Sequence, residues 1–347
     1  MIPTRSVPEV IERARDLAAP ALEAALDRLS PEVRPLARYH FGLDDEHGNP
    51  VEGRQGGKGV RPALSVLSAE AAGGAAETGV PGAVAVELVH NFSLIHDDVI
   101  DNDKERRHRP TVWAIWGVGR AVIAGDALLA LAQQVLLEAG AGDDPMAGAR
   151  SGAAARCLAD ATAAMIAGQA LDMAFESLPG VGVDSCLSME AGKTGALLGA
   201  AASLGSVLAG APTETTNALR RFGVELGLAF QAIDDLLGIW GDPGQTGKPS
   251  GNDIRQHKKT LPISAALATE GPEAEELAGL LGRDGLTEGE VVRAAQLVEL
   301  CGGRTRASEE ADKRLASALL ALESASLVES VQAELVDVAR FVVTRQF

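Results

Sequence analysis

The chain has 347 residues, of which 46% are apolar and only 3% aromatic, and its formal net charge is −17. Ala, Leu, Val and Gly dominate, which favours helix over strand and points to an all-α protein. The acidic balance argues against a general nucleic-acid binder but leaves room for a small anionic substrate wherever basic residues cluster. The three cysteines, Cys157, Cys186 and Cys301, have no metal-ligand spacing and read as reduced thiols in a cytoplasmic protein. The start, MIPTRSVPEVIERARDL, has no apolar signal-peptide core. No uncharged apolar run of 18 residues is present, so no membrane span is expected; any membrane contact would be transient, through a lipid product.

In chain order, residues 7–29 read as an amphipathic helix and 31–57 as a short helix followed by a loop rich in Gly and Asp. Helices are predicted over 60–72, 80–101, 121–139, 146–177, 187–209 and 214–240. The loop GDPGQTGKPSGND then breaks the pattern, and helix resumes over 254–267 and from 273 to the end. No Ser-rich or charged linker separates two halves, so residues 1–347 are expected to form one helical domain, with 1–35 as a peripheral helical segment. Small-residue runs such as GAAARCLADATAAMIAGQA suit close helix–helix packing.

Two acid pairs stand out. The first apolar helix of note ends in five acids within nine residues: Asp97, Asp98, Asp101, Asp103 and Glu105. Asp97 and Asp101 are four apart and share a helix face, where like charge and the helix C-terminus both repel. A second apolar helix carries Asp234 and Asp235. One such pair could be an ordinary solvated face; two suggest carboxylates facing each other across a cavity and holding Mg²⁺, which prefers one or two carboxylates plus substrate phosphate oxygens. The bases fit the same idea. Lys58 and Arg61 follow two glycines, Arg106 and Arg107 follow the first acid cluster, Lys193 and Thr194 form a KTG sequence, and Lys248 and Lys258 follow the second acid pair. Arginine grips phosphate as a bidentate fork and lysine acts as a point charge.

From about Tyr39 onward the chain resembles the trans-isoprenyl diphosphate synthases, the polyprenyl synthetase family, in the style of actinobacterial short-chain members. Six motifs fall in family order: GGKGVRP (56–62), HDDVIDNDKERRHRPT (96–111), GDALL (125–129), GQALD (168–172), KTGAL (193–197), and FQAIDDLLGIWGD (230–242) with GKPSGNDIRQHKKTLP (247–262). The resemblance implies an all-α isoprenoid synthase fold around a deep central cavity, a homodimer, and Mg²⁺-dependent head-to-tail condensation of isopentenyl diphosphate with an allylic diphosphate. It implies three Mg²⁺ ions, with Asp97, Asp101 and Asp234 as ligands and Asp98 and Asp235 beside them. It places Arg106, Lys193, Thr194, Gln231, Lys248 and Lys258 around the allylic diphosphate, with Thr194 and Gln231 guiding the departing proton. Lys58, Arg61, His90 and Arg107 match the isopentenyl diphosphate site, and Gln169 and Asp172 a supporting element.

Three positions depart from the family pattern. Gly238 replaces the last acid of the second motif, Gly59 stands where many members have Arg, and His108 sits at a turn glycine. For chain length, Phe92 and Ser93 lie about one turn before Asp97 and are expected to face the growing tail; Met165, Leu128 and Met173 are further floor candidates. A bulky Phe92 with no insertion inside Asp97–Asp101 resembles the C20 group, making geranylgeranyl diphosphate, with farnesyl diphosphate (C15) as the alternative. Two readings from other classes stand beside it. A terpene cyclase would want a different second metal motif and an aromatic-rich pocket. A non-catalytic partner subunit that kept the fold would have lost acids or bases, and Gly238 is one such loss.

Overall fold

The computed structural model describes residues 7–51, 59–141, 144–178, 180–242, 249–283 and 285–343. The described residues are mostly helical with almost no sheet, and they fall into two compact units. The first comprises residues 1–160, 200–220 and 325–335; the second comprises 161–199, 221–324 and 336–347.

In the first unit, α1 (Val7–Leu26), α2 (Arg34–His40), α3 (Val60–Ala71) and a 3₁₀ turn (Ala76–Gly79) precede the long α4 (Val80–Ile100). A hairpin of two-residue strands, β1 (Glu105–Arg106) and β2 (Arg109–Pro110), follows, then α5 (Val112–Trp116) and α6 (Val118–Glu138). α1, α3 and α4 share a core built from small and branched side chains: Ile11, Ala14, Ala18, Ala63, Val66 and Ala83. α6 packs along α4. Its inner face repeats Ala121, Ala124, Gly125, Leu128, Leu131, Ala132 and Leu136 at helical spacing. α7 (Ala147–Glu176), α9 (Ala196–Leu208) and α10 (Thr213–Trp240) each have residues in both units.

In the second unit, α8 (Val183–Glu190) runs into a five-residue π turn, Ala191–Gly195, which opens into α9. α11 (Asn252–Arg255), α12 (Leu261–Leu267), α13 (Pro272–Leu281), α14 (Glu288–Leu300) and α15 (Gly303–Glu323) follow, and α16 (Glu329–Val343), which has residues in both units, ends the described chain. Ile239, Ile254, Ile263, Leu277, Leu297 and Val298 anchor the core of this part. α14 starts at a reciprocal capping box between Thr287 and Glu290, which satisfies two otherwise orphan N–H groups.

The helix expected over 254–267 is two helices. His257 turns at φ +53°, Thr260 is extended, and Pro262 restarts the helix in its first turn. The segment expected over 187–209 is divided by the π turn.

Candidate active site

The first unit carries the first acid cluster at the end of α4. Asp101 caps that helix and Asn102 follows at φ +55°. Asp103 N–H donates to the Asp98 carbonyl at 2.9 Å and Asn102 N–H to the Val99 carbonyl at 3.4 Å. This is a Schellman stop, with asparagine accepting the left-handed backbone. Asp97 and Asp101 therefore stand one turn apart on the last two turns, Asp97 half-buried and Asp101 exposed. Asp98 points the other way and is buried. Its Oδ1 accepts from Arg106 Nε at 2.7 Å, and its Oδ2 has no hydrogen-bond partner among the described residues. Burial pushes the Asp98 carboxyl up to about 6, against the pull of Arg106.

The hairpin after the acids is fastened from several sides. The Tyr39 hydroxyl donates to the Pro110 carbonyl at 2.7 Å. Arg109 donates to the Tyr39 and Asp44 carbonyls at 3.2 and 2.9 Å and stacks over the Tyr39 ring. Thr111 Oγ1 and Trp113 Nε1 both donate to the Asp103 carbonyl, at 2.9 and 2.8 Å. Arg107 and His108 form the tip at φ +53° and +60°. This is a left-handed pair of the kind that asparagine–glycine would occupy at less strain. His108 thus occupies a glycine-type conformation, as the sequence predicts.

Midway along α4, Arg61 Nη1 lies 3.3 Å from His90 Nε2. Arginine can only donate, so Nε2 accepts and the proton sits on Nδ1. Burial, and then the charges of Arg61, Arg107 and Arg106, hold His90 well below its usual value. Burial, followed by Arg106 and Arg107, brings His40 down to about 3. The positive charge here is thus carried by arginines while the histidines stay neutral, and the group suits an anion with several oxygens. The Ser93 hydroxyl donates to the His90 carbonyl at 2.8 Å. Phe92 is buried, with its ring edge-on to His96 at 4.9 Å. His96 lies so close to α6 that a Cβ on Gly125 of GDALL would fall 2.2 Å from its ring.

The second unit carries the KTG turn and the second acid pair. The π turn adds one residue to a helical turn, a device that often re-aims side chains at functional sites. Lys193 pairs with Asp172 of α7, which gives the GQALD element its acid partner. Thr194 Oγ1 donates to Gln231 Oε1 at 2.8 Å, and Gln231 Nε2 donates to Asp235 Oδ1 at 2.8 Å. Asp235 is buried, and its Oδ2 accepts the Leu261 backbone N–H at 2.9 Å. Asp234, its neighbour in sequence, is exposed. Gln169 Oε1 is buried without a hydrogen-bond partner among the described residues. Lys258 is half-buried, and its N–H donates to the Asp253 carbonyl at 3.0 Å. Lys58 and Lys248 lie outside the described residues.

The donor chemistry fits a hard divalent cation. Asp97 and Asp101 supply carboxylate oxygens one turn apart in the first unit, where the helix end is already negative, and Asp234 supplies an exposed carboxylate in the second. Among the described residues no group of three or more His, Cys, Asp or Glu forms a ready-made cage. Mg²⁺ takes one or two carboxylates and completes its shell with water and phosphate oxygens.

The polyprenyl synthetase family model matches residues 52–298. The chain is 46% identical, over 99% of its length and 94% of the relative's, to a (2E,6E)-farnesyl diphosphate synthase of Mycobacterium tuberculosis. It is 44% identical, over 91% of its length and 89% of the relative's, to a geranylgeranyl diphosphate synthase of the same organism. Among solved structures, a polyprenyl synthetase from Streptomyces coelicolor A3(2) matches with a TM-score of 0.91 at 48% identity, covering 98% of this chain and 100% of that one. The chain belongs to the polyprenyl synthetase family. It is a prenyltransferase of the all-α isoprenoid synthase fold, a short-chain trans-prenyl diphosphate synthase acting on isoprenyl diphosphates.

Two residues of this prenyltransferase escaped the sequence reading. Asp253 is one: a Cβ on Gly238 would fall 1.9 Å from its Oδ2. The place where the second motif normally has its last acid is therefore taken by a carboxylate from α11. The signal was an acid within GKPSGNDIRQHKKTLP. Glu190 is the other, a buried carboxyl three residues before Lys193 that accepts from the Cys186 thiol one turn earlier at 3.2 Å. Among the described residues one helix, α6, is long and apolar enough by length and composition to cross a membrane. It carries Arg120 and Asp126, and its inner face is committed to packing in the first unit.

Proposed function

We propose that this prenyltransferase condenses isopentenyl diphosphate head-to-tail with an allylic diphosphate and stops at geranylgeranyl diphosphate. The observation that carries the site assignment is the division of labour within each aspartate pair. Asp97 and Asp234 are accessible, while Asp98 and Asp235 are buried and held, the first by Arg106 and the second by Gln231 and the Leu261 N–H. An accessible carboxylate on a backbone anchored by its buried, bonded neighbour in sequence is a suitable metal ligand.

In this reading Asp97, Asp101 and Asp234 hold three Mg²⁺ ions, and Asp253 supplies the acid that the motif ending in Gly238 lacks. The ions would offset the charge that develops on the departing diphosphate. Arg106, Lys193, Thr194, Gln231, Lys248 and Lys258 hold the allylic diphosphate. Lys58, Arg61, His90 and Arg107 hold isopentenyl diphosphate, with neutral His90 kept as a hydrogen-bond donor at Nδ1. As the C4 carbon of isopentenyl diphosphate bonds to the allylic carbon, the allylic C–O bond breaks. The C2 proton then leaves to an oxygen of the released diphosphate, past Thr194 and Gln231.

Phe92, with no insertion between Asp97 and Asp101, supports the C20 product. The similarity to a farnesyl diphosphate synthase supports C15 as the second reading. The exposed side chains of Val118, Val122 and Ile123 on α6 support a homodimer built on that helix. Asp97→Ala tests the metal assignment. Turnover should fall by about a thousandfold or more with the helical circular dichroism unchanged, and unchanged turnover would remove Asp97 from the site.

A further inference from the structure

The turn that leads from α11 into α12 carries Lys258 and is tied down at several points within the second unit. α11 ends at Gln256 in a Schellman stop. His257 N–H donates to the Ile254 carbonyl at 3.1 Å and Lys258 N–H to the Asp253 carbonyl at 3.0 Å. Such a stop needs a left-handed residue, and the chain places His257 there, at φ +53°. Glycine or asparagine would take this conformation at less strain. The half-buried imidazole offsets the strain with a bond across space: its Nδ1 lies 3.1 Å from the carbonyl oxygen of Leu281, the last residue of α13. A carbonyl can only accept, so Nδ1 is the donor. The bond occupies one of the last four carbonyls that a helix end leaves without an intrahelical donor. Beyond Lys258, the Lys259 carbonyl accepts from the Cys186 thiol of α8 at 3.3 Å, and Leu261 N–H donates to Asp235 at 2.9 Å. The His257 ring is therefore the side-chain tie before Lys258, and the other two come after it.

We propose that His257 is a positioning residue for Lys258: its ring ties the left-handed turn to the end of α13 and fixes the backbone from which the Lys258 ammonium reaches the allylic diphosphate. This rests on the reading above, in which Lys258 holds that diphosphate. A lysine is a point charge on a flexible stem, so its aim depends on where its backbone is held. Without the ring bond, the segment before Lys258 hangs from the four-residue α11 alone.

The test compares wild type, H257G, H257N, K258A and H257G/K258A, with geranyl diphosphate as the allylic substrate. Glycine and asparagine both accept the left-handed turn, so both variants keep the backbone unstrained. They differ in one respect: asparagine Nδ2 stands at the same distance from Cβ as histidine Nδ1 and can still donate to Leu281. H257G should lose about tenfold in kcat/KM for geranyl diphosphate through misplacement of Lys258. Its KM for isopentenyl diphosphate should stay within about twofold, because the bases assigned to that substrate are untouched. H257N should stay within about twofold of wild type on both measures. K258A should lose about a hundredfold for geranyl diphosphate, and adding H257G to it should cost less than about twofold more, since the two act through one group. A folded H257G with wild-type kcat/KM overturns the inference. So does an H257N that loses as much as H257G, or a full tenfold loss from H257G on the K258A background. If K258A itself leaves kcat/KM for geranyl diphosphate unchanged, the reading beneath the inference falls with it; an impaired K258A beside an indifferent H257G removes only His257.

Discussion

Gly168 of GQALD marks where α7 comes closest to the KTG turn. A Cβ there would lie 2.3 Å from the Lys193 nitrogen, 2.8 Å from its Cα and 2.9 Å from the Gly192 carbonyl carbon. All three are backbone atoms, so no side chain can swing aside. Ordinary contact begins near 3.4 Å, and Gly168→Ala must part the two backbones by roughly 1 Å at the nitrogen. Overpacking of this kind costs about 1–3 kcal/mol, against about 1 kcal/mol gained from replacing glycine by alanine inside a helix. Gly152→Ala isolates that gain. It lies in the same helix with nothing within 4 Å of its Cβ position, and it should stabilise the protein by about 0.5–1 kcal/mol. Gly168→Ala should come out up to about 2 kcal/mol less stable than wild type by denaturant titration. Because Lys193 and Thr194 move with the turn, kcat should fall by about a hundredfold. A Gly168→Ala protein as stable as Gly152→Ala, with wild-type turnover, would refute the close-packing argument and the placement of the KTG turn.

His108→Gly should relieve the left-handed backbone at the hairpin tip. A gain of about 0.5 kcal/mol is expected after the added unfolded-state freedom is discounted, read as a raised denaturation midpoint with an unchanged slope. Gly238→Ala places a methyl group on the Asp253 carboxylate. The Mg²⁺ concentration for half-maximal velocity should rise about tenfold, as when a supporting group around a metal is displaced, and an unchanged Mg²⁺ dependence would remove Asp253 from the metal's surroundings. Phe92→Ala should lengthen the product beyond that of wild type in chromatographic sizing of the dephosphorylated alcohols, and an unaltered distribution would discard Phe92 as the floor.

The long helices were legible because their apolar spacing is strong and their stops are chemical. The helix expected over 80–101 is α4, Val80–Ile100, ended by Asn102; the one expected over 214–240 is α10, Thr213–Trp240. The acid pairs were legible as pairs, but which member is buried was not. That depends on partners such as Arg106 for Asp98 and the Leu261 N–H for Asp235. Two-residue strands have no periodicity to detect, so the hairpin at 105–110 escaped notice. The π turn differs from a helix by one residue per turn, which leaves no mark on composition. Gly238 read as a lost acid because the residue that fills its place, Asp253, comes from another helix. Glu190 drew no notice because its burial is set by tertiary packing that sequence spacing does not reveal.

The account rests on the condensation itself. Purified protein would be incubated with Mg²⁺, labelled isopentenyl diphosphate and, in turn, dimethylallyl, geranyl or farnesyl diphosphate, and the prenyl products sized. The account predicts Mg²⁺-dependent extension ending at C20. No extension of any of the three primers would contradict it.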